Sequence, residues 1–188
     1  MNRLTIVEHN NIALVAPEIA DQDILAEWMH DPATNTFLDQ NDFEWWVCPR
    51  LMQLKTFEGQ LSKHGHLMVI YLKDTNEIAG TITLHSLNEY HRYATPGIRI
   101  FSKYHSQGIG TQAMRLLLKY AFELQGFHKV NLYVWAENTG AIECYKRCWF
   151  QQIGYHREHY WRFDRYHDVM DMEILVDEYK RLKHEWFV

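Results

Sequence analysis

A chain of 188 residues with 47% hydrophobic side chains is long enough to bury one sizeable core, and no linker, repeat or low-complexity tract divides it. Its 24 acidic against 19 basic side chains leave a net charge of −5, which argues against the basic surface on which generic nucleic-acid affinity rests. No apolar run approaches the ~20 residues that span a bilayer, and the opening MNRLTIVEHNN lacks the apolar core of a signal peptide, so a cytoplasmic protein without a membrane or nucleic-acid partner is expected.

In chain order, IALVAP (12–17) reads as a short strand. A helix from about Asp21 to Met29 follows, with Ile24, Leu25 and Trp28 on one face. Asp31-Pro32 ends it, since a residue before proline is disfavoured in the helical region. Residues 43–64 read as helical with a break before Pro49. Three runs rich in β-branched and aromatic residues, 66–72, 78–87 and 95–101, then form an antiparallel meander, with the turn residues DTNE (74–77) between the first two. From Ile109 to Leu124 the apolar residues Ala113, Leu116, Leu117, Tyr120, Ala121 and Leu124 follow helical spacing. A strand at 129–136, a short helix at 139–148, strands at 150–160 and 166–175, and a terminal helix or extension at 177–187 complete the chain. Strands followed by a strand–helix–strand unit give an α/β mixed sheet that is mostly antiparallel, not a doubly wound parallel one.

Metal chemistry finds little support. Cys48, Cys144 and Cys148 are an odd, sparse set suited to a reducing compartment. Cys144 and Cys148 share a helix face, but two thiols do not close a zinc site. The twelve histidines show no HExxH or HxxxH pairing, so no metal is expected.

The segment RIFSKYHSQGIGTQAM (99–114) runs from a strand through a loop with Gly108 and Gly110 into the long helix. Glycine permits close approach, and the free N–H groups of a helix N-terminus favour a phosphate or pyrophosphate. A tight strand-to-helix turn accounts for the glycines equally well. A P-loop is excluded because no GK[ST] closes the loop. Gly108, Gly110 and Ala113 also satisfy a dinucleotide fingerprint. The preceding meander and the late acidic residue, Glu137, count against that reading.

Together, HSQGIGT (105–111) and AENTGAIECYKRCWF (136–150) make the stretch from about Ile78 to Leu175 resemble the GNAT superfamily of acyl-CoA-dependent N-acyltransferases. The resemblance is strongest to its branch of ribosomal-protein N-terminal and polyamine acetyltransferases. The first segment is similar to the family's pyrophosphate loop, the second to its ENxxAIxxYxKxGF signature, and RFDRYHDVMDMEIL (162–175) to a closing hairpin of that branch. The resemblance implies a single domain over 1–188, with the acceptor side at about 1–65, the sheet and acetyl-CoA-binding core at about 66–175, and a tail at 176–188. It implies acetyl-CoA as co-substrate, held by Ile98, Arg99, Ile100, His105, Ser106, Gln107, Gly108, Ile109, Gly110, Thr111, Asn138, Ala141 and Tyr145.

Three departures stand out. His105 and Ser106 replace the usual Gln or Arg and Gly, and both can donate to phosphate. Thr95 stands where a basic Glu often lies. Trp149 replaces a Gly that would close a helix in the left-handed conformation, so an altered cap is expected at Arg147 to Trp149.

In the implied reaction an amine attacks the thioester. A strand N–H near Ile98 to Ile100 receives the oxyanion, and Tyr145 protonates the departing sulfur as general acid. Asn138 is both a natural N-cap and a cofactor contact. Ala141, one turn before Tyr145, leaves room for the pantetheine arm. A base or water chain must take the amine's proton, and His85, on the acceptor side, is a candidate for it.

Between Glu18 and Glu58 lie nine acidic and two basic residues, among them Glu27 and Asp31 beside Trp28. Carboxylates near aromatic faces suit a cationic amine such as a polyamine, and a solvated helix face explains them too. The alternatives are a protein N-terminal amine, an amino sugar, or a non-catalytic acyl-CoA-binding regulatory module. A homodimer through the aromatic-rich late strands is a further expectation.

Overall fold

The computed structural model describes residues 3–29, 31–34, 37 and 66–187. The helical stretch expected at 43–64 lies outside the described residues. Among the described residues, eight strands, numbered in chain order and given their ranges below, form one sheet in the order β1-β2-β3-β4-β5-β6-β8-β7. The α/β mixed, mostly antiparallel architecture read from the sequence is the one observed.

β1 (Thr5–His9) hairpins onto β2 (Ile12–Val15) and was not anticipated. Only Val7 of β1 is buried, so the strand has little apolar alternation to betray it. Its turn depends on Asn10 at φ 50°, a conformation Asn tolerates better than most residues. After a short 3-10 turn, α1 (Gln22–Met29) occupies the span expected of the first helix. β3 (His66–Leu72), β4 (Glu77–Asn88) and β5 (Tyr93–Ile100) form the expected meander.

The decisive irregularity lies between β5 and β6 (Lys129–Trp135). They run parallel, yet pair only at Tyr93 with Lys129 and Ala94 with Val130. The next residue of β5 to face β6 is Pro96, which has no N–H to continue the ladder. Gly97 follows, and a Cβ there would lie 2.7 Å from Thr83 Oγ1, so glycine lets β5 approach β4 without displacing the threonine side chain. The dipeptide Pro96-Gly97 therefore fastens β5 to one neighbour and releases it from the other.

α2 (Ile109–Lys119) packs across β1, β2, β4 and β5 with Ala113, Met114, Leu116, Leu117 and Leu118 buried. Each buried Leu contributes about 2 kcal/mol. The last turn widens: Gln125 N–H bonds Tyr120 O at 3.0 Å, five residues back. This π-turn rotates the helix end, so Leu124, expected on the core face, is exposed.

The C-terminal end of α3 (Thr139–Arg147) corrects the expectation of an altered cap. Phe150 N–H bonds Tyr145 O at 3.1 Å and Trp149 N–H bonds Lys146 O at 2.9 Å, the two bonds of a Schellman motif. The Phe150 and Tyr145 rings, 5.7 Å apart, supply its hydrophobic contact. Trp149 itself takes the left-handed conformation at φ 62°. Its indole stacks on Trp186 at 4.2 Å and 15°, an attraction that offsets backbone strain of about 1–2 kcal/mol.

β7 (Gln151–Arg162) and β8 (Arg165–Leu175) form a hairpin whose turn residues Phe163 and Asp164 both have positive φ, as a primed turn requires. α4 (Val176–Leu182) brings Tyr179 and Trp186 into the core. No helix among the described residues is long and apolar enough to cross a membrane.

Candidate active site

Where β5 and β6 part, a cleft of about 770 Å³ opens. One wall is β5. Phe101 N–H bonds Ala79 O and Gly97 O accepts from Thr83 Oγ1, so the odd residues of β5 face β4. By strand alternation the N–H groups of Ile98 and Ile100 face the other way, into the gap that β6 has left. The splay thus creates an unpaired strand edge lining a cavity.

The floor of the cleft is the loop into α2. Ser106 at φ 60° and Gly108 at φ 76° turn the chain, and Gly108 is the N-cap with no side-chain cap. The first helical bond runs from Gln112 N–H to Gly108 O. The N–H groups of Ile109, Gly110 and Thr111 therefore have no partner within the helix. With the helix dipole behind them they form an anion seat. Arg99 and Arg147 add positive charge to the lining, against Glu137 and Glu143.

The opposite wall is the end of β6 and the start of α3. Asn138 Oδ1 accepts from Ala141 N–H at 3.1 Å, the N-cap expected from the sequence. Its NH2 group has no partner among the described residues. Tyr145, 8% exposed, also lines the cleft. Burial, reinforced by the neighbouring Cys144 and Cys148 sulfurs, pushes its phenol well above the ordinary value. The ring is thus a protonated donor throughout the neutral range.

Ile98, Arg99, Ile100, His105, Ser106, Gly108, Ile109, Gly110, Thr111, Asn138, Ala141 and Tyr145 all line this single cleft. Gln107 does not, because its amide donates to Lys103 O at 2.9 Å. His105 is only partly as expected. Its ring Nε2 donates to Ile100 O at 2.8 Å, and a neutral ring then offers an acceptor, not a donor, to phosphate.

Glu27 is exposed and away from the lining, and the side chain of Trp28 lies outside the described residues. Asp31 accepts from Ala33 N–H at 3.0 Å and Thr34 Oγ1 at 2.6 Å. Hydrogen bonds from Ser102 and Thr34 hold its carboxyl below the ordinary value. Thr34 Oγ1 in turn receives Ser102 N–H at 2.8 Å, which ties residues 31–34 to the chain just beyond β5. Asp21, another of the acidic surplus, is buried against Arg3 at 2.6 Å. His85 faces Thr95 on β4, is exposed and does not line the cleft.

Sequence reasoning missed Phe37, Trp135 and Glu137, which do line it. Trp135 stacks on Tyr160 at 5.7 Å and meets Phe37 edge-on at 6.2 Å. Glu137 bonds His167 at 2.9 Å and Arg165 at 3.1 Å. The alternation of β6 puts Trp135 on the side of Tyr133, and that was the available signal.

A family model described as an acetyltransferase (GNAT) domain matches residues 11–151. The spermidine N(1)-acetyltransferase of Vibrio cholerae is 31% identical over 102 residues, covering 54% of this chain and 59% of that protein. The aligned stretch thus spans less than two-thirds of the relative's length. An uncharacterized N-acetyltransferase of Bacillus licheniformis is 24% identical over 162 residues, 86% of this chain and 91% of the other. The crystal structure of spermidine N-acetyltransferase from Vibrio cholerae, in complex with CoA and spermine, superposes with a TM-score of 0.82 at 22% identity, covering 92% of this chain and 99% of that one.

Proposed function

The chain belongs to the acetyltransferase (GNAT) domain family, and we propose that it transfers the acetyl group of acetyl-CoA to a primary amine of a polyamine-type cation in the cleft between β5 and β6. The observation that carries this reading is the splay itself. It leaves strand donors at Ile98 and Ile100, an anion seat at Ile109 to Thr111 and a protonated phenol at Tyr145 around one cavity. That combination fits a long ligand with a diphosphate at one end and a carbonyl at the other.

Bound acetyl-CoA supplies a thioester carbon open to attack by a neutral amine. The N–H groups of Ile109, Gly110 and Thr111 hold its phosphates, and the free edge of β5 holds its amide-bearing arm by extending the sheet. Ile98 N–H donates to the carbonyl oxygen as that atom gains charge, which is worth about 3–4 kcal/mol of barrier. Tyr145 gives its proton to the departing sulfur, the attacking nitrogen releases its own proton to water in the cleft, and the phenol is restored by a proton from that water. The small Ala141 side chain, one turn earlier, keeps the approach open.

A cationic acceptor is supported by the Trp135 and Phe37 rings that line the cleft with the carboxylates of Glu137, itself shared with Arg165 and His167, and Glu143, since aromatic faces and carboxylates attract an ammonium group. The relatives named for spermidine point the same way. The test is thiol release from acetyl-CoA with spermidine, spermine, an amino sugar and a peptide with a free N-terminus, each with the acetylated product identified by mass. Release with polyamines above the others supports the proposal. Acetyl-CoA binding without release for any amine overturns it in favour of a binding module.

A further inference from the structure

The transfer chemistry above gives no role to the two thiols of α3, although one of them opens into the cleft. Cys144 lines the cavity beside Gly110, Thr111 and Tyr145, while Cys148, one turn on, is wholly buried behind it. Both sulfurs converge on Thr111. Its hydroxyl donates to Cys144 Sγ at 3.5 Å, and Cys148 Sγ lies 3.5 Å from its carbonyl oxygen. A side chain on Gly110 would meet Cys144 Sγ at 3.8 Å, so the sulfur sits against the anion seat.

The environment favours charge on the outer sulfur. A hydrogen bond from Cys148, helped by Thr111 and the nearby Arg147 and Arg115 guanidiniums, brings the Cys144 thiol down to about 7 against the opposing effect of burial. Burial pushes the Cys148 thiol up. An accessible thiolate with a protonated thiol one turn away is the arrangement of a peroxide-sensitive pair.

We propose that Cys144 is an oxidation site for hydrogen peroxide, with Cys148 as its resolving thiol, and that the resulting disulfide displaces Tyr145 and slows transfer. The Cys144 thiolate attacks one peroxide oxygen and the O–O bond breaks, leaving a sulfenic acid while the other oxygen departs as hydroxide, which takes a proton from solvent to become water. Cys148 sulfur then attacks Cys144 sulfur. The S–O bond breaks as the S–S bond forms, and a second water leaves with the Cys148 proton. The peroxide gains two electrons and the two thiols lose two.

The disulfide acts on the catalytic turn. Helical neighbours four apart hold their Cβ atoms about 5–6 Å apart, whereas a disulfide needs about 3.8 Å. The bond therefore tightens the end of α3. Tyr145 lies between the two cysteines, and its carbonyl receives both Cys148 and Phe150 N–H, so it shifts with them.

The effect on transfer rests on the acetyl-CoA reading; the disulfide does not. The test is peroxide treatment of the reduced full chain, followed by intact mass and peptide mapping. The expected result is a loss of about 2 Da mapped to Cys144–Cys148, with acetyl transfer falling at least about tenfold and returning with dithiothreitol. In Cys148→Ala, Cys144 should instead gain about 16 Da. In Cys144→Ser, peroxide should leave activity at its untreated level. A Cys144 that stays reduced while Cys48 is oxidised, or that pairs with Cys48 instead, overturns the proposal. CoA should slow the oxidation. If CoA gives a thermal shift yet no protection, the placement of Cys144 in the cleft fails while the transfer reading stands. If CoA gives no shift, the transfer reading fails and the mass result alone decides the thiol pair.

Discussion

Replacing Trp149 separates the two opposing terms at the cap of α3. Trp149→Ala keeps a Cβ in the left-handed conformation at φ 62° and removes the indole stacked on Trp186 at 4.2 Å. Loss of the stack costs about 1 kcal/mol and loss of the half-buried ring about 1.5 kcal/mol more, so the variant should be less stable by about 2.5 kcal/mol. Trp149→Gly loses the same contacts but relieves the backbone, recovering about 1 kcal/mol. For a chain of this size that difference is a shift in Tm of about 2–4 °C. Urea unfolding with an unchanged slope is the assay. In a Trp186→Ala background the stack is already gone, and Trp149→Gly should then cost less than it does alone, a coupling of about 1 kcal/mol. A glycine variant no more stable than the alanine variant refutes the argument that the tryptophan is held there against backbone strain.

Gly97→Ala places a Cβ 2.7 Å from Thr83 Oγ1. It should destabilise by about 1–3 kcal/mol, with much of the loss recovered in a Thr83→Ala background, as unfolding midpoints would register. Glu123 bonds Tyr179 at 2.9 Å and Lys183 at 2.6 Å. Burial alone would raise its carboxyl, but these hydrogen bonds outweigh it and the net shift is below the ordinary 4.5. Its stabilisation should be complete above that value and fade as pH falls through the lowered one. Glu123→Gln should therefore flatten the acid limb of a stability profile, and an unchanged limb contradicts the assignment. Asn138→Asp keeps the cap oxygen that receives Ala141 N–H but loses the NH2 donor. Its stability should stay within about 0.5 kcal/mol of wild type while CoA affinity falls, and calorimetry separates the two.

The legible parts of the molecule were those with strong local periodicity or a motif held by backbone geometry. α2 announced itself because Ala113, Leu116 and Leu117 repeat at helical spacing, and the loop before it because Gly108 supplies a positive φ. β1 stayed hidden because its pairing partner, not its own pattern, makes it a strand. Leu124 was misplaced because the π-turn breaks the period on which the helical argument rests. Trp149 misled because the stack on Trp186, 37 residues on, is a tertiary contact that no local rule contains. Of the acidic surplus, Asp21 is paired with Arg3 and Asp31 bonds Thr34, partners that no local pattern in the sequence announces, and four more of its nine acids lie outside the described residues. Pro96-Gly97, which opens the cleft, was visible only as part of a strand.

The most direct test of the account is the rate of acetyl transfer by Tyr145→Phe beside wild type, with CoA binding measured on both. Phenylalanine keeps the ring packed against Phe150 and removes only the proton donor. The account predicts a fall in kcat of about 10²–10⁴-fold, with CoA affinity and Tm close to wild type. An unchanged kcat in a variant that binds CoA normally would show that the departing sulfur takes its proton elsewhere, and would contradict the role assigned to Tyr145.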